Sequence, residues 1–157
     1  MQSVTVWTDM LDGIVARTGK PPPMVETLRL PSIDGWGPGH VWGTYQVDPD
    51  MFHAAGALFG GYVAALADSF LGLAMFTVLA DDEFFTTADL RVSFFRPIAG
   101  GSLDMAAEVL NRGRRMAHVE VVFVNDADKV AAKATATQII LTPGEGREVP
   151  RLYSLTR

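Results

Sequence analysis

The sequence contains no cysteine among its 157 residues. This absence excludes a disulfide framework, a thiolate metal site and a cysteine nucleophile. Basic residues are also few, since 13 Lys and Arg stand against 18 Asp and Glu and leave a formal net charge of −5. No overall basic field exists to attract nucleic acid, and we expect no such partner. The first ten residues lack the basic and apolar regions of a secretory signal, so the sequence predicts a cytoplasmic protein.

The composition is that of a globular protein and not of a disordered one. Hydrophobic residues make up 48% of the chain and charged residues 20%. A chain of this length can bury a core without disulfides or metals, and the length predicts one domain. We expect a single domain over 1–157, with an N-terminal helix and an irregular connection over 1–40, a core over 41–142 and an irregular tail over 143–157.

Residues 54–80 are the longest apolar stretch, and Asp68 is their only formally charged residue. Their length and hydropathy would suit a membrane-associated protein with a spanning helix. A carboxylate near the centre of a span would cost about 3 kcal/mol on insertion, and the alternating segments that follow need an apolar partner. We therefore favour a buried helix enclosed by a sheet, and we expect no membrane span.

Strand-like segments flank this helix. A turn over 35–39 precedes a first strand predicted near 41–48. Apolar and polar residues then alternate in four segments, near 87–94, 103–109, 117–123 and 129–141. Short turns separate these segments, which predicts that consecutive strands pair antiparallel, and one-sided alternation predicts that one face of the sheet covers the core. The sequence therefore predicts an α+β fold, with a highly curved antiparallel sheet wrapped around one long apolar helix.

One motif precedes and enters the apolar stretch. The segment His53-Ala-Ala-Gly56-Ala-Leu-Phe59-Gly60-Gly61, followed by Asp68, resembles the signature of hotdog-fold acyl-CoA thioesterases, and most closely that of the phenylacetate-pathway type. That family typically has Asn-x-x-Gly-x-x-His-Gly-Gly, with an Asp or Glu nine residues after the His. Here Phe59 stands at the His position and His53 at the Asn position.

Two downstream segments extend the resemblance to residue 141. Phe94-Phe95-Arg96-Pro97, followed by Gly100, is similar to the end of a strand in the family. Arg112-Gly113-Arg114-Arg115 is similar to its basic turn. The resemblance implies a hotdog fold and the hydrolysis of an acyl-CoA with an aryl or medium-chain acyl group. It implies no metal and no cofactor, apart from the coenzyme A that is part of the substrate.

The resemblance also assigns roles to particular residues. It makes Gly60 the oxyanion donor, Asp68 the general base or nucleophile, Thr87 a hydroxyl that helps to position water, and His53 a hydrogen-bond donor. The substrate-binding residues that it implies are Phe59, Gly61, Arg112, Gly113, Arg114 and Arg115.

Elementary chemistry supports the same positions. The first N–H groups of a helix have no intrahelical acceptor, and they can stabilise the negative charge that develops on a thioester oxygen. Gly60 and Gly61 have no Cβ atom, so a ligand can approach their backbone closely. A carboxylate such as Asp68 can activate water or attack the carbonyl carbon itself, and the sequence leaves both routes open.

The arginine cluster has two interpretations. Arg112, Arg114 and Arg115 could clamp the phosphates of coenzyme A, because the guanidinium group suits bidentate contacts with phosphate. They could equally form a solvated loop. The acidic residues 81–83 have no histidine near them in sequence, so we interpret them as a solvated helix end and not as a metal site.

The spacing of Gly60 and Asp68 bears on assembly. Eight residues of one helix span about 12 Å, whereas both groups must approach one thioester to within about 3–3.5 Å. Two chains with antiparallel central helices would bring Gly60 of one chain to Asp68 of the other. We therefore expect a homodimer with active sites at the interface, which could pair further into a tetramer. Phe59 at the His position motivates an alternative function, a non-catalytic acyl-CoA or lipid-binding protein.

Overall fold

The apolar stretch and the alternating segments are organised as one sheet around one long helix. The computed structural model describes residues 4–142, so the predicted tail over 143–157 lies outside the described residues. The helices and strands within this range are α1 (Val6–Val15), α2 (Pro23–Thr27), β1 (Gly35–Gly37), β2 (His40–Gln46), a 3-10 helix (Pro49–Met51), α3 (Gly60–Phe76), β3 (Phe84–Phe94), β4 (Ser102–Arg112), β5 (Met116–Asn125) and β6 (Val130–Leu141). The prediction of an α+β fold is confirmed.

The central helix is shorter than the apolar stretch that predicts it. α3 has 17 residues and begins at Gly60, not near residue 54. The preceding residues form a turn in which Gly56 donates its N–H to the His53 carbonyl oxygen and has a φ of +81°, a conformation that interrupts a helix. Among residues 4–142, no helix combines the length and hydropathy needed to cross a bilayer.

The six strands form one antiparallel sheet in the order β1-β2-β4-β5-β6-β3. The sequence predicts that each strand pairs with the next one along the chain. This expectation is correct for the pairs β4–β5 and β5–β6, and it is wrong for β3, which does not pair with β4. β3 pairs with β6, from Phe84 opposite Leu141 to Phe94 opposite Ala132, and β2 lies beside β4. The predicted turn over 35–39 is part of a hairpin, because β1 pairs with β2, and the connection over 20–40 also contains α2.

The segment between β3 and β4 explains the unexpected strand order. Its Ile98 carbonyl oxygen accepts the N–H of Leu58 at 2.7 Å, which holds the segment against the residues that precede α3. Gly101, with a φ of +76°, then turns the chain into β4, and its carbonyl oxygen accepts the N–H of Val47. The connection therefore crosses the N-terminal end of α3 and does not close a hairpin.

β3 also departs from the predicted alternation. A register shift between Thr87 and Asp89 interrupts its pairing with β6, as in a β-bulge. Leu90 and Val92 pack against the core as predicted, but Phe94 is 56% exposed. The irregularity lies next to Thr87, the residue of this edge strand to which the resemblance assigns the positioning of water.

The core lies between α3 and the inner face of the sheet. The buried residues of α3 are Tyr62, Val63, Leu66, Ala67, Phe70, Leu71, Ala74 and Met75. At the C-terminal end of the helix, Trp7 of α1 stacks on Phe76 with ring centroids 4.7 Å apart and donates its Nε1–H to the Ala80 carbonyl oxygen. α1 therefore covers the end of α3 that is opposite to Gly60.

Gly43 of β2 permits a close approach between the sheet and α3. A Cβ atom there would lie 3.1 Å from Cζ of Phe70 and 3.1 Å from the Ser32 carbonyl oxygen. We expect Gly43→Ala to lower the free energy of unfolding by about 1–3 kcal/mol through overpacking. Gly13→Ala is the matched control, because Gly13 is helical with ordinary space around it and alanine there should be neutral or stabilising. Urea unfolding of both variants measures the difference, and equal stabilities would contradict the close approach.

Candidate active site

α3 begins with two backbone N–H groups that lack a partner. Phe59 precedes the helix in an extended conformation, with φ −62° and ψ 129°, and supplies no side-chain cap. Its carbonyl oxygen accepts the N–H groups of Tyr62 at 2.9 Å and Val63 at 3.1 Å. The N–H groups of Gly60 and Gly61 have no acceptor within the described part of the chain. These two donors lie at the positive end of the helix dipole and suit a group that carries or develops negative charge.

Aromatic rings lie against both glycines. A Cβ atom at Gly60 would lie 3.2 Å from Cζ of Phe94, and one at Gly61 would lie 2.5 Å from Cε1 of Phe59. The two rings are themselves largely exposed, at 56% for Phe94 and 58% for Phe59. The glycines therefore serve the packing of these rings as well as access to the backbone.

A cleft of roughly 400 Å³ opens beside the start of α3. Its walls come from the turn before the helix and from the connection after β3, which the contact between Leu58 and Ile98 holds together. The lining residues that matter for chemistry are His53, Gly60, Phe94, Phe95 and Arg96. The cleft is thus mainly apolar, with the unpartnered helix start at one wall.

His53 lies in this cleft with one ring nitrogen already occupied. Its Nδ1 accepts the backbone N–H of Ala55 at 3.1 Å. A neutral imidazole has one acceptor nitrogen and one donor nitrogen, so this contact assigns the proton to Nε2. The side chain can therefore act as the hydrogen-bond donor that the resemblance implies.

Asp68 lies elsewhere on α3, on its exposed face, and has a different set of neighbours. The Thr87 hydroxyl is 3.4 Å from Oδ1 of Asp68 and 3.0 Å from Oε1 of Gln138. The pairing of β3 with β6 sets this arrangement, because Thr87 and Gln138 are opposite each other in the register. The structure therefore brings together Asp68 and Thr87, the two residues expected to act on water.

Gln138 is a member of this group that the sequence analysis missed. Its side chain is fully buried, and its Nε2 group has no hydrogen-bond partner among the described residues. A signal was present in the alternation of β6, where Gln138 falls in the apolar phase between Ala136 and Ile140. A polar residue at a core-facing position requires a partner, and this one is Thr87.

The site therefore exists as two separate parts within one chain. One part is the cleft with His53 and Gly60, and the other is the group of Asp68, Thr87 and Gln138. α3 is continuous between Gly60 and Asp68, which keeps them about 12 Å apart along the helix axis. None of the Asp68 group lines the cleft.

The predicted basic turn is the hairpin between β4 and β5. Gly113 donates its N–H to the Met116 carbonyl oxygen, and Arg114 is exposed. Arg112 forms an ion pair with Glu83, whose carboxylate also accepts the Ala80 N–H. Glu83 was expected to be solvated, but its side chain is only 12% exposed because of these contacts. This turn lies near the C-terminal end of α3, away from Gly60 of the same chain.

A polar network anchors the loop beside the first turn of α3. The Tyr62 hydroxyl donates to the Arg29 carbonyl oxygen at 3.0 Å, and the Arg29 guanidinium pairs with Asp48 and Asp50 at 2.8 Å. The hydrogen bond from Arg29 holds the pKa of Asp48 below its usual range, and burial raises the pKa of the Tyr62 hydroxyl. Both shifts favour the protonation states that these hydrogen bonds need at neutral pH.

Comparison with known sequences places the chain in a family. A model described as the thioesterase superfamily matches residues 55–132. A Saccharolobus solfataricus protein, named as an inferred esterase, is 33% identical over 87 residues, or 55% of this chain. The chain spans 61% of the length of that curated relative.

Solved structures agree with this result. A thioesterase of Haemophilus influenzae has a TM-score of 0.76 at 19% identity, and the match covers 94% of this chain and 98% of that protein. This likeness shows that the two proteins share a fold. An inferred thioesterase of Ralstonia eutropha, described as related to phenylacetic acid degradation, has a TM-score of 0.71 at 27% identity and covers 85% of this chain and 98% of its own. A Thermus thermophilus protein has a TM-score of 0.67 at 30% identity, and the match covers 76% of this chain and 98% of the Thermus thermophilus chain. The chain belongs to the thioesterase superfamily, and the predicted hotdog fold is confirmed.

The hydrogen bond from Ala55 gives a prediction for His53. At about pH 9, where imidazole side chains are ordinarily neutral, we expect the tautomer with the proton on Nε2 to predominate at His53. Nitrogen and carbon chemical shifts of the ring, measured by NMR, distinguish the tautomers. His118 is an internal reference, because its ring forms no hydrogen bond within residues 4–142 and should show a mixture. A proton on Nδ1 of His53 would contradict the contact with Ala55.

Proposed function

We propose that this protein is a thioester hydrolase that acts on acyl-CoA substrates with an aryl or medium-chain acyl group. The observation that carries the proposal is the pair of unpartnered N–H groups of Gly60 and Gly61 at the start of α3, where Gly60 lines the cleft. A thioester carbonyl oxygen placed against them would gain charge as the tetrahedral intermediate forms. In acyl-transfer enzymes the loss of one such donor costs about 3–4 kcal/mol of transition-state stabilisation.

His53 adds a further donor, because it lines the same cleft as Gly60. Its Nε2–H is available because Ala55 occupies Nδ1. A donor that is fixed in position before the reaction stabilises charge without reorganisation. We assign His53 to binding of the thioester oxygen, together with Gly60.

Asp68 supplies the attack on the carbonyl carbon. It either removes a proton from water, which then adds to the carbonyl carbon, or adds directly through its own carboxylate oxygen to form a mixed anhydride that water then hydrolyses. In both routes the carbon–sulfur bond breaks and the coenzyme A thiolate leaves. The Thr87 hydroxyl, itself 3.0 Å from Gln138, positions the carboxylate or the water. Both routes require the ionised form of Asp68.

The proposed active site is shared between two chains. Gly60 of one protomer faces Asp68 of its partner, which removes the separation of about 12 Å within one chain. β3 supports this assembly because it lies at the edge of the sheet, and four successive residues, 86–89, are exposed there. An exposed edge strand of this kind favours pairing with another chain. The homodimer is sufficient for a complete site, and a tetramer would pair two such dimers.

The walls of the cleft suit the proposed acyl group. Phe94, Phe95 and Ile98 offer apolar contacts to an aromatic ring or a short alkyl chain. A relation to phenylacetic acid degradation, as the description of the Ralstonia eutropha protein has it, supports an aryl group. We assign the phosphates of coenzyme A to the turn with Arg112, Arg114 and Arg115, although the ion pair with Glu83 already uses part of the charge of Arg112.

Substitution of Asp68 tests the proposal. We expect Asp68→Asn to fold normally and to lose at least about 100-fold in turnover, because the amide can neither accept the proton nor attack. Release of free coenzyme A from a panel of acyl-CoA substrates measures the loss. Asp82→Asn is the matched control, since Asp82 is an exposed carboxylate away from Gly60 and Thr87.

Near-wild-type hydrolysis by the Asp68 variant would contradict its role. Binding of acyl-CoA by the wild type without any hydrolysis in the panel would instead favour the non-catalytic binding protein.

Mixing of subunits tests the shared site. Gly60→Pro removes the N–H group but suits the first helical position, because the φ and ψ of Phe59 are those favoured before proline. Gly60→Ala is its control, since it brings the same Cβ atom against Phe94 and keeps the N–H. We expect Gly60→Pro and Asp68→Asn to be nearly inactive alone and to recover activity when refolded together, through mixed dimers with one intact site. Mixed dimers that remain inactive, or a fully active monomer, would exclude the shared site.

A further inference from the structure

The cleft beside α3 contains hydrogen-bond donors and no carboxylate. None of its lining residues is acidic. Among its lining residues, only His53 and Arg96 have polar side chains, and the Nε2–H of His53, the guanidinium of Arg96 and the unpartnered N–H of Gly60 are all donors. In a chain with a net charge of −5, a cleft with these donors and no carboxylate favours an anionic ligand.

The guanidinium of Arg96 is held in place at this cleft. One of its NH groups donates to the carbonyl oxygen of Val130 at the start of β6, and its backbone N–H bonds to Ala131 at 3.1 Å. The adjacent Phe95 bonds to the same carbonyl oxygen, at 2.9 Å. Arg96 is therefore anchored by both its main chain and its side chain, and less ordering is needed when it binds a ligand.

Among residues 4–142, Arg96 does not take part in an ion pair of the kind that Arg29 and Arg112 form. Arg29 pairs with two aspartates and Arg112 pairs with Glu83. Within the described residues, Arg96 forms no ion pair, and its guanidinium donates only to the Val130 carbonyl oxygen. The other N–H groups of this guanidinium therefore have no acceptor in the described part of the chain. A guanidinium with free donors suits bidentate contacts to a carboxylate or a phosphate.

We infer that Arg96 is a specificity-determining residue that recognises an anionic group of the thioester ligand. The inference rests on the proposed function for the placement of the thioester at Gly60. The anion could come from either of two parts of such a ligand, a carboxylate at the far end of a short acyl group or a phosphate of coenzyme A that the turn with Arg112, Arg114 and Arg115 does not bind. Both present oxygens that match the guanidinium fork, and the test separates them.

Four ligands distinguish the two sources. Glutaryl and pentanoyl groups have the same chain length and differ by a terminal carboxylate. Each is offered both as the coenzyme A thioester and as the N-acetylcysteamine thioester, which lacks phosphate. Binding is measured by calorimetry in the Asp68→Asn protein, in which the thioesters should stay intact, and again after Arg96→Gln is added. Arg17→Gln is the matched control, because Arg17 is an exposed arginine outside the cleft.

The two sources give different patterns of loss. If Arg96 pairs with the acyl carboxylate, Arg96→Gln weakens both glutaryl ligands by roughly tenfold or more and spares both pentanoyl ligands. If it pairs with a phosphate, both coenzyme A thioesters weaken and both N-acetylcysteamine thioesters are spared. Arg96→Lys, which keeps the charge and loses the fork, should show the same pattern with a smaller loss.

Other results overturn the inference. An equal loss for all four ligands would mark Arg96 as a structural residue, and no loss for any of them would mark it as solvated surface. Absence of binding by the Asp68→Asn protein for all four ligands would also overturn it. Turnover by the wild type is measured separately. An active wild type without Arg96-dependent binding rejects only this inference, whereas Arg96-dependent binding with an inactive wild type rejects only the proposed hydrolysis.

Discussion

The packing of α3 against the inner face of the sheet is the constraint on which the other features depend. Eight of its 17 residues are buried, and Gly43 of β2 leaves room for the ring of Phe70. This packing requires the helix to be continuous, so that its N-terminal donors and Asp68 are fixed at a distance from each other. It also places the connection after β3 across the start of the helix, where that connection becomes a wall of the cleft. The division of the site into two parts is therefore a consequence of the core.

Much of the fold could be predicted because the sheet and helix impose different periodicities on the sequence. The alternating segments became β3 to β6, and the apolar stretch became α3. The strand order could not be predicted from the same signals, because turn length is local while the choice between β6 and β4 as the partner of β3 is not. It depends on contacts such as that between Leu58 and Ile98, which are 40 positions apart in sequence and leave no periodic pattern.

The candidate site was predictable to the extent that it is local. The spacing of Gly60 and Asp68 lies within one helix, and the resemblance supplied Thr87. Gln138 was missed because a buried polar residue shows only as one exception in an alternating strand. The ion pair between Arg112 and Glu83 joins residues 29 positions apart, so no motif could show that part of the charge of the basic turn is already used. The tautomer of His53 likewise depends on a turn whose geometry only the structure gives.

The group around Asp68 is more easily explained as a functional site than as a structural one. The Thr87 hydroxyl has one proton and two carboxyl- or amide-oxygen neighbours, so it can fully satisfy only one of them at a time. Gln138 leaves Nε2 without an acceptor, and the opposite orientation of its amide would leave Oε1 unpaired instead. A buried polar atom without a partner costs about 1–3 kcal/mol, which a core leucine at this position would avoid. Asp68, Thr87 and Gln138 therefore combine an unsatisfied buried amide with an exposed carboxylate, an arrangement that destabilises the fold and suits the binding of water or substrate. For this reason we assign these three residues to the proposed reaction and not to stabilisation of the fold.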